Sequence, residues 1–407
     1  MTGTARNIAL YPWFKFCQNL LFWQAIWFLF LQSELSAAEA ILLYAVYDIA
    51  TTVLEVPSGY ASDRWGRRRT LIISALAGLI SGLLFTFGSG FWVFAAAQFA
   101  MGAHIAFASG TDGAMLFESL AEEGRADDIE NEEVRAFRFG FSALAISALL
   151  GGGLALWGLR LPFAANALAF AALVWIAWSF AEPGHVKREG SKPAESARLT
   201  TLGEALFHPT LMWLFALSVL FYGFSHLPFV FGQPFILEAL GGAAFTADAA
   251  LLSGGITALM MLLSVATSWI APGLRKRLGF FGLLLLAFGL QVLLAAGLAL
   301  SASLFAAALL LLRKVPDSFA QPFIAARIQP MLKDEVRATY VSIRSLTARL
   351  LFAASLALAS VQASNVGLMS MDEIQGILLV YAGVGALALV LLALTGGDLR
   401  RGDRGGK

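Results

Sequence analysis

Polar positions along this chain come in short bursts between long apolar stretches. Runs of about 20 apolar residues have centres near residues 22, 50, 79, 105, 146, 171, 220, 260, 290, 317, 349 and 384. A helix of about 20 residues, rising ~1.5 Å per residue, covers a ~30 Å hydrocarbon core. The pattern therefore predicts twelve membrane-spanning helices. The first run, Tyr11 to Leu31, is too long for the apolar segment of a signal peptide and is followed by no small-residue cleavage site. It is read as a retained first span. Composition sharpens the class: 58% of the 407 residues are hydrophobic, 14% are charged, and the mean hydropathy is +0.74. A soluble chain of this length needs far more polar surface. Cys17 is the single cysteine, so no intrachain disulfide forms.

The net charge of +1 matters less than where the charges lie. Arg6 precedes the first span, Arg64 and Arg67–Arg69 follow the second, and Arg125, Arg135 and Arg138 follow the fourth. Lys187, Arg188, Lys192 and Arg198 follow the sixth, Arg275–Arg277 the eighth, Lys333 and Arg337 the tenth, and Arg400, Arg401, Arg404 and Lys407 the last. The opposite loops hold Arg160 beside Glu34, Glu39, Asp248, Asp372 and Glu373. An even number of spans with both ends on the Lys/Arg side predicts cytoplasmic termini.

Two polar stretches are longer than a simple turn. Ala121 to Arg138 is rich in acids and reads as a solvated amphipathic connector. Glu182 to Leu202 mixes charges with Pro183, Gly184, Gly190 and Pro193 at mid-chain, and reads as a linker. The predicted organisation is a six-helix bundle over 1–181, a cytoplasmic linker over 182–205, a second six-helix bundle over 206–396 and a tail over 397–407. Internal echoes support a duplication. Glu132-Glu133-Val134-Arg135-Ala136 before the fifth span returns as Asp334-Glu335-Val336-Arg337-Ala338 before the eleventh. Arg64-Trp65-Gly66 after the second span returns as Arg277-Leu278-Gly279 after the eighth, with Lys276 where the first copy has Asp63.

The most specific polar burst is Gly59-Tyr-Ala-Ser-Asp63-Arg64-Trp-Gly66-Arg67-Arg68-Arg69, between the apolar runs Ala40–Ala61 and Thr70–Phe87. One carboxylate against four guanidiniums in so short a connection predicts a tight charged turn. Its residue types, spacing and position resemble the loop signature between helices two and three of the major facilitator superfamily of secondary transporters. Glu55-Val-Pro57-Ser-Gly59 and Arg337-Ala-Thr-x-x-Ser342 extend the resemblance. The fifth span has Gly151-Gly152-Gly153 rather than the Gly-Pro-x-x-Gly-Gly of drug:proton antiporters.

The resemblance implies an all-α polytopic fold of twelve helices in two pseudo-symmetric six-helix bundles, with a substrate site near the midplane between them. It implies a monomer in the cell membrane, the inner membrane of a bacterium, that handles a small-molecule substrate among lipids without cofactor, metal or nucleic acid. Protons are the expected coupling ion. It also implies a cytoplasmic gate formed by Gly59, Asp63, Arg64, Gly66, Arg67, Glu118 and Arg337. There the Asp63 carboxylate meets the positive end of the eleventh helix in the outward-facing state.

Ionisable groups at membrane depth cost at least ~2.5–3.5 kcal/mol each and need a partner or a wet cavity. Asp48, His104, Asp112, Arg313, Lys314, Asp317, Arg344 and Arg349 fall at such depths. Carboxylates and the histidine occupy spans two and four, while the cations occupy spans ten and eleven. Asp317 is spaced to neutralise Arg313 or Lys314 on its own helix. The remaining cations serve either an interhelical ion-pair network or an anionic substrate. Asp48 is the first candidate for a coupling carboxylate and Asp112 the second, because hydration and desolvation move a carboxyl group's proton affinity. His104 is read as either titrating or packing. His226 lies in a stretch that Pro228 and Pro234 are expected to bend. Asn19 and Gln24 are polar at depth in the aromatic first span and are expected to face the cavity.

No Gly-x-x-x-x-Gly-Lys-Ser/Thr, His-Glu-x-x-His, paired-cysteine or Gly-x-Ser-x-Gly pattern occurs, which argues against ATP-driven transport and against a membrane-embedded enzyme. Singly scattered charges argue against a channel filter. Two transport readings remain. One is proton-coupled export of a small amphipathic organic solute, suited to an anionic group. The other is proton-coupled uptake or exchange of an anionic metabolite.

Overall fold

Every one of the twelve predicted centres falls on a helical segment. The computed structural model describes residues 2–35, 37–184, 195–230, 249–301, 303, 308–360, 371–397 and 399–400. The first run forms α1 (Gly3–Gln18), a 3-10 turn at Phe22–Ala25 and α2 (Trp27–Glu34). A single uninterrupted first helix is thus corrected to a broken one. Asn19 closes α1, its side chain donating to the Lys15 carbonyl at 2.7 Å. Then come α3 (Ala37–Trp65), α4 (Arg67–Phe87), α5 (Phe91–Ala108) and α6 (Thr111–Glu122). Gly110, left-handed at φ 71°, splits the fourth run between α5 and α6. After α7 (Ile129–Ala155) and α8 (Leu161–Ser179), part of the expected linker is itself helical, as α9 (Glu195–Phe207).

The second half begins with α10 (Pro209–Val230). The bend expected at Pro228 and Pro234 reaches into residues 231–248, outside the described residues. Next is α11 (Ala249–Leu300), whose helical geometry is interrupted at Gly279. The chain continues with α12 (Val315–Ile328), α13 (Arg337–Ser360) and α14 (Met371–Thr395).

Among the described residues, seven helical stretches are long and apolar enough to cross a membrane. One of them, Gly254–Leu300, is broken at Gly279 and has length enough for two crossings. The helices α3 and α13 are long enough but carry interior charge, including Asp48 and Glu55 on the first and Arg344 and Arg349 on the second.

Two compact units divide the chain. The first holds Met1–Leu206, Ala247–Leu262 and Ala325–Leu346. Its interior joins Phe14, Leu71, Phe170 and Phe180 in one cluster and Phe30, Phe85, Phe94 and Phe163 in another, with Phe30 and Phe163 rings 4.5 Å apart. The second unit holds Phe207–Thr246, Leu263–Ile324 and Thr347–Lys407. Phe224 packs edge-on against Phe288 there, and Trp213 donates its indole N–H to the Leu392 carbonyl at 3.1 Å.

Candidate functional site

The turn from α3 to α4 is built on Gly66, whose φ of 102° and ψ of 159° suit glycine alone. It brings Asp63, at the end of α3, to the start of α13. Asp63 Oδ1 accepts the Ala338 backbone N–H at 3.1 Å, and Oδ2 accepts the Thr339 N–H at 2.9 Å and its hydroxyl at 2.7 Å. A carboxylate here satisfies two of the orphan donors of a helix N-terminus and lies at the positive end of its dipole. Gly59 permits the approach. A Cβ there would stand 2.5 Å from Ser342 Oγ and 2.9 Å from the Ala338 carbonyl oxygen.

Guanidiniums enclose this carboxylate. Arg67 is fully buried and reaches Asp63 Oδ1 at 2.5 Å, Glu118 Oε1 at 2.8 Å and the Asp334 carbonyl at 2.7 Å. Arg337 bonds the same Glu118 oxygen at 2.6 Å, Asp334 Oδ1 at 2.6 Å and the Leu332 carbonyl at 2.7 Å. Its guanidinium also lies over the Phe117 ring. Of the predicted gate residues, Gly59, Asp63, Gly66, Arg67, Glu118 and Arg337 thus come together. Arg64 stands at the edge, donating to the Tyr60 hydroxyl at 2.8 Å.

Sequence reasoning missed two further members. Arg198, on α9, donates to the Glu335 carbonyl at 2.7 Å and to Asp63 Oδ2 at 3.4 Å, and stacks over Tyr60. Glu182 accepts the backbone N–H groups of Arg67 and Arg68 at 2.6 and 2.9 Å, capping α4. Both lie in the stretch expected to be a linker, whose charges gave no sign of a partner more than 100 positions away.

A second cluster in the same unit involves α1, α6 and α7. Lys15 Nζ pairs with Asp112 Oδ2 at 2.7 Å and donates to Gln18 Oε1 at 2.7 Å. Glu133, expected on a solvated connector, instead has its Oε1 sealed from solvent. His104 is fully buried, with Nδ1 2.9 Å from the Ser74 carbonyl and the ring edge-on to Phe170, a packed environment. Gln24 donates to the Leu144 carbonyl at 2.9 Å, joining the first span to α7. Asp48 is exposed on α3. Arg344 lies in this unit, within the field of the buried Glu55 on α3. Beyond the spans, Glu123 accepts from the Thr2 and Thr4 hydroxyls, which hold its carboxyl below the usual range.

In the second unit, Asp317 pairs with Lys314 at 2.9 Å, and Arg313 lies within its field. Ser225 ties α10 to this pair, donating to Asp317 Oδ1 at 3.3 Å and accepting from Lys314 at 3.3 Å. Tyr222 stacks on His226 at 4.0 Å, and the Arg349 guanidinium lies over the Tyr222 ring at 5.7 Å. Lys314 and Arg349 thus lie in one polar cluster with Asp317, Ser225 and Tyr222. Among the described residues, no group of His, Cys, Asp or Glu is arranged to hold a metal ion.

A sequence model described as the Major Facilitator Superfamily matches residues 13–349 of this chain. No curated protein matches the sequence itself. Solved structures do match the fold. The human organic anion transporter MFSD10 (TETRAN) aligns with a TM-score of 0.72 at 16% identity, over 96% of this chain and 100% of that one. A bacterial homologue of the iron transporter ferroportin, in an outward-facing state, gives 0.69 at 16% identity, over 98% and 100%. The nucleoside transporter NupG gives 0.61 at 15% identity, over 97% and 99%.

Proposed function

This chain belongs to the Major Facilitator Superfamily, and on that premise we propose that it exports a small amphipathic organic solute by alternating access, driven by protons. Family and fold make it a multi-pass secondary transporter of twelve helices in two six-helix bundles, not an enzyme. Its halves are the bundles over 1–181 and 206–396, joined by 182–205, with both termini in the cytoplasm of a bacterial inner-membrane monomer. The observation that carries the cycle is the seat of Asp63 on the backbone donors of Ala338 and Thr339. A carboxylate held by two amides, a hydroxyl and two guanidiniums is a contact that a moving helix must break and can re-form.

The solute's anionic group is met by Lys314 and Arg349. Both cations lie beside side chains of α10, Lys314 donating to Ser225 and the Arg349 guanidinium standing over the Tyr222 ring, which supports this. Names among the fold's relatives range over organic anions, iron and nucleosides, so they select no substrate. Asp112, already engaged by Lys15, is the better placed of the two coupling candidates, Asp48 being exposed. The same placement of Lys314 and Arg349 favours a second reading, uptake or exchange of an anionic metabolite.

Purified protein in proteoliposomes, offered a panel of small organic anions with an imposed pH gradient, tests the proposal. Export coupled to protons predicts uphill movement of at least one anion against proton flow. Movement of any such anion at equal rates with and without the gradient removes the coupling, and movement with the protons selects uptake.

A further inference from the structure

Neither the Asp63 seat nor the Asp317 cluster accounts for Glu133. It lies on α7, one turn from the start of that helix, and its Oε1 is sealed from solvent with no hydrogen-bond donor. Its carboxyl packs against Gly113, where an added Cβ would sit 3.6 Å from Oε1 and 2.7 Å from Gln329 Nε2. Gly113 follows Asp112 and donates its N–H to Asp112 Oδ1 at 2.7 Å. Two carboxyl groups are thus gathered beside one ammonium, and Lys15 has chosen Asp112.

The groups facing Glu133 come from three elements. They are Tyr11 and Lys15 of α1, Asp112 of α6, and Gln329 in the turn after α12. On α7 itself, Glu132 is bridged by Arg125 and Arg135, with Glu130 and Arg138 as the other charged neighbours. Among these facing groups Lys15 is the single cation, and Asp112 already engages it. An ionised Glu133 would place charge on an oxygen cut off from both water and a hydrogen-bond donor, which costs free energy. A protonated carboxyl removes that cost.

We propose that Lys15, Asp112 and Glu133 form one proton-carrying site, in which Glu133 holds the proton while Lys15 is bound to Asp112. Transfer of the Lys15 ammonium from Asp112 to Glu133 releases that proton to the water then in contact with the site. No bond other than O–H forms or breaks. The inference rests on the proton-coupled reading above and names its residues, moving the proton from Asp112 to its neighbour.

Two measurements on the full-length protein without substrate test it. Infrared difference spectra of wild type and Glu133→Gln should show one protonated-carboxyl stretch that the variant loses and that Asp48→Asn retains. On wild type alone, so that folding of a variant is not at issue, a lipid-soluble carbodiimide adds to protonated carboxyl groups. Peptide mapping should place the label on Glu133 and not Asp112, with loss of label as pH rises. In Lys15→Met, freed of the ammonium, Asp112 should gain label as well. Label on Asp112 alone, or no carboxyl band lost in Glu133→Gln, overturns the site. The two readings separate cleanly: anion flux indifferent to a pH gradient while Glu133 still labels sinks the coupling and keeps the site. Gradient-driven flux with Glu133 unlabelled and its band absent does the reverse.

Discussion

The chain makes the same turn twice and arms it once. Arg64-Trp65-Gly66 and Arg277-Leu278-Gly279 both interrupt helix at a glycine with positive φ and extended ψ, 102° and 159° in the first, 77° and 173° in the second. The backbone has kept the duplicated geometry. The side chains have not. At the first turn Asp63 is buried under Arg67 and Arg198 and seated on a helix start. At the second, Lys276 and Arg277 are exposed and Arg275 lies over the Phe280 ring. Glycine at such a turn is a requirement of the backbone, whereas the clasp depends on one carboxylate.

Breaking the armed turn should have the largest effect. Asp63→Ala strips the α13 start of its acceptor and leaves Arg67 and Arg198 short of an anion. A buried pair broken from one side costs about 3–5 kcal/mol. Thermal unfolding in detergent should fall accordingly, with loss of anion flux. The glycines come next. Gly66→Ala and Gly279→Ala each force alanine into a region that costs about 1–3 kcal/mol. The first should cost more, because its Cβ would also meet the Glu182 carboxylate at 2.7 Å. Equal losses of melting temperature would mean that Glu182 yields freely.

Lys276→Asp sharpens the contrast from the other side. It restores the missing carboxylate at an exposed position and should shift stability within about 0.5 kcal/mol. A melting temperature raised as much as Asp63→Ala lowers it would show a concealed second clasp. The smallest effect belongs to Glu123, an exposed carboxylate whose two hydroxyl donors depress its proton affinity. Its contribution is present above the unfolded carboxyl value and is lost as pH falls through the folded one. Thr4→Ala narrows that gap, so the acid-side fall in melting temperature should become shallower.

The spans were legible because apolar runs of bilayer length leave little choice, and the first turn because its polar residues stand alone between two such runs. Hydropathy is blind to breaks inside a run, so the interruptions at Asn19 and Gly110 went unseen. The partners of the clasp were half legible. Glu118 and Arg337 sit at helix ends where charge is conspicuous, but Arg198 and Glu182 belong to a mixed-charge stretch without periodicity. Lys15 was lost among aromatics, and Glu133 among six other acids of one polar segment. Only packing reveals that one carboxylate oxygen among them, Glu133 Oε1, is sealed from solvent.

The cycle proposed for this transporter requires the seat of Asp63 to open and close with each turnover. Hydrogen exchange at the Ala338 and Thr339 amides, followed in proteoliposomes while an anion from the panel is turned over, tests it most directly. Protection lost during turnover and regained when the anion is withheld is the expected result. Amides that stay protected at a constant level throughout active transport would contradict it.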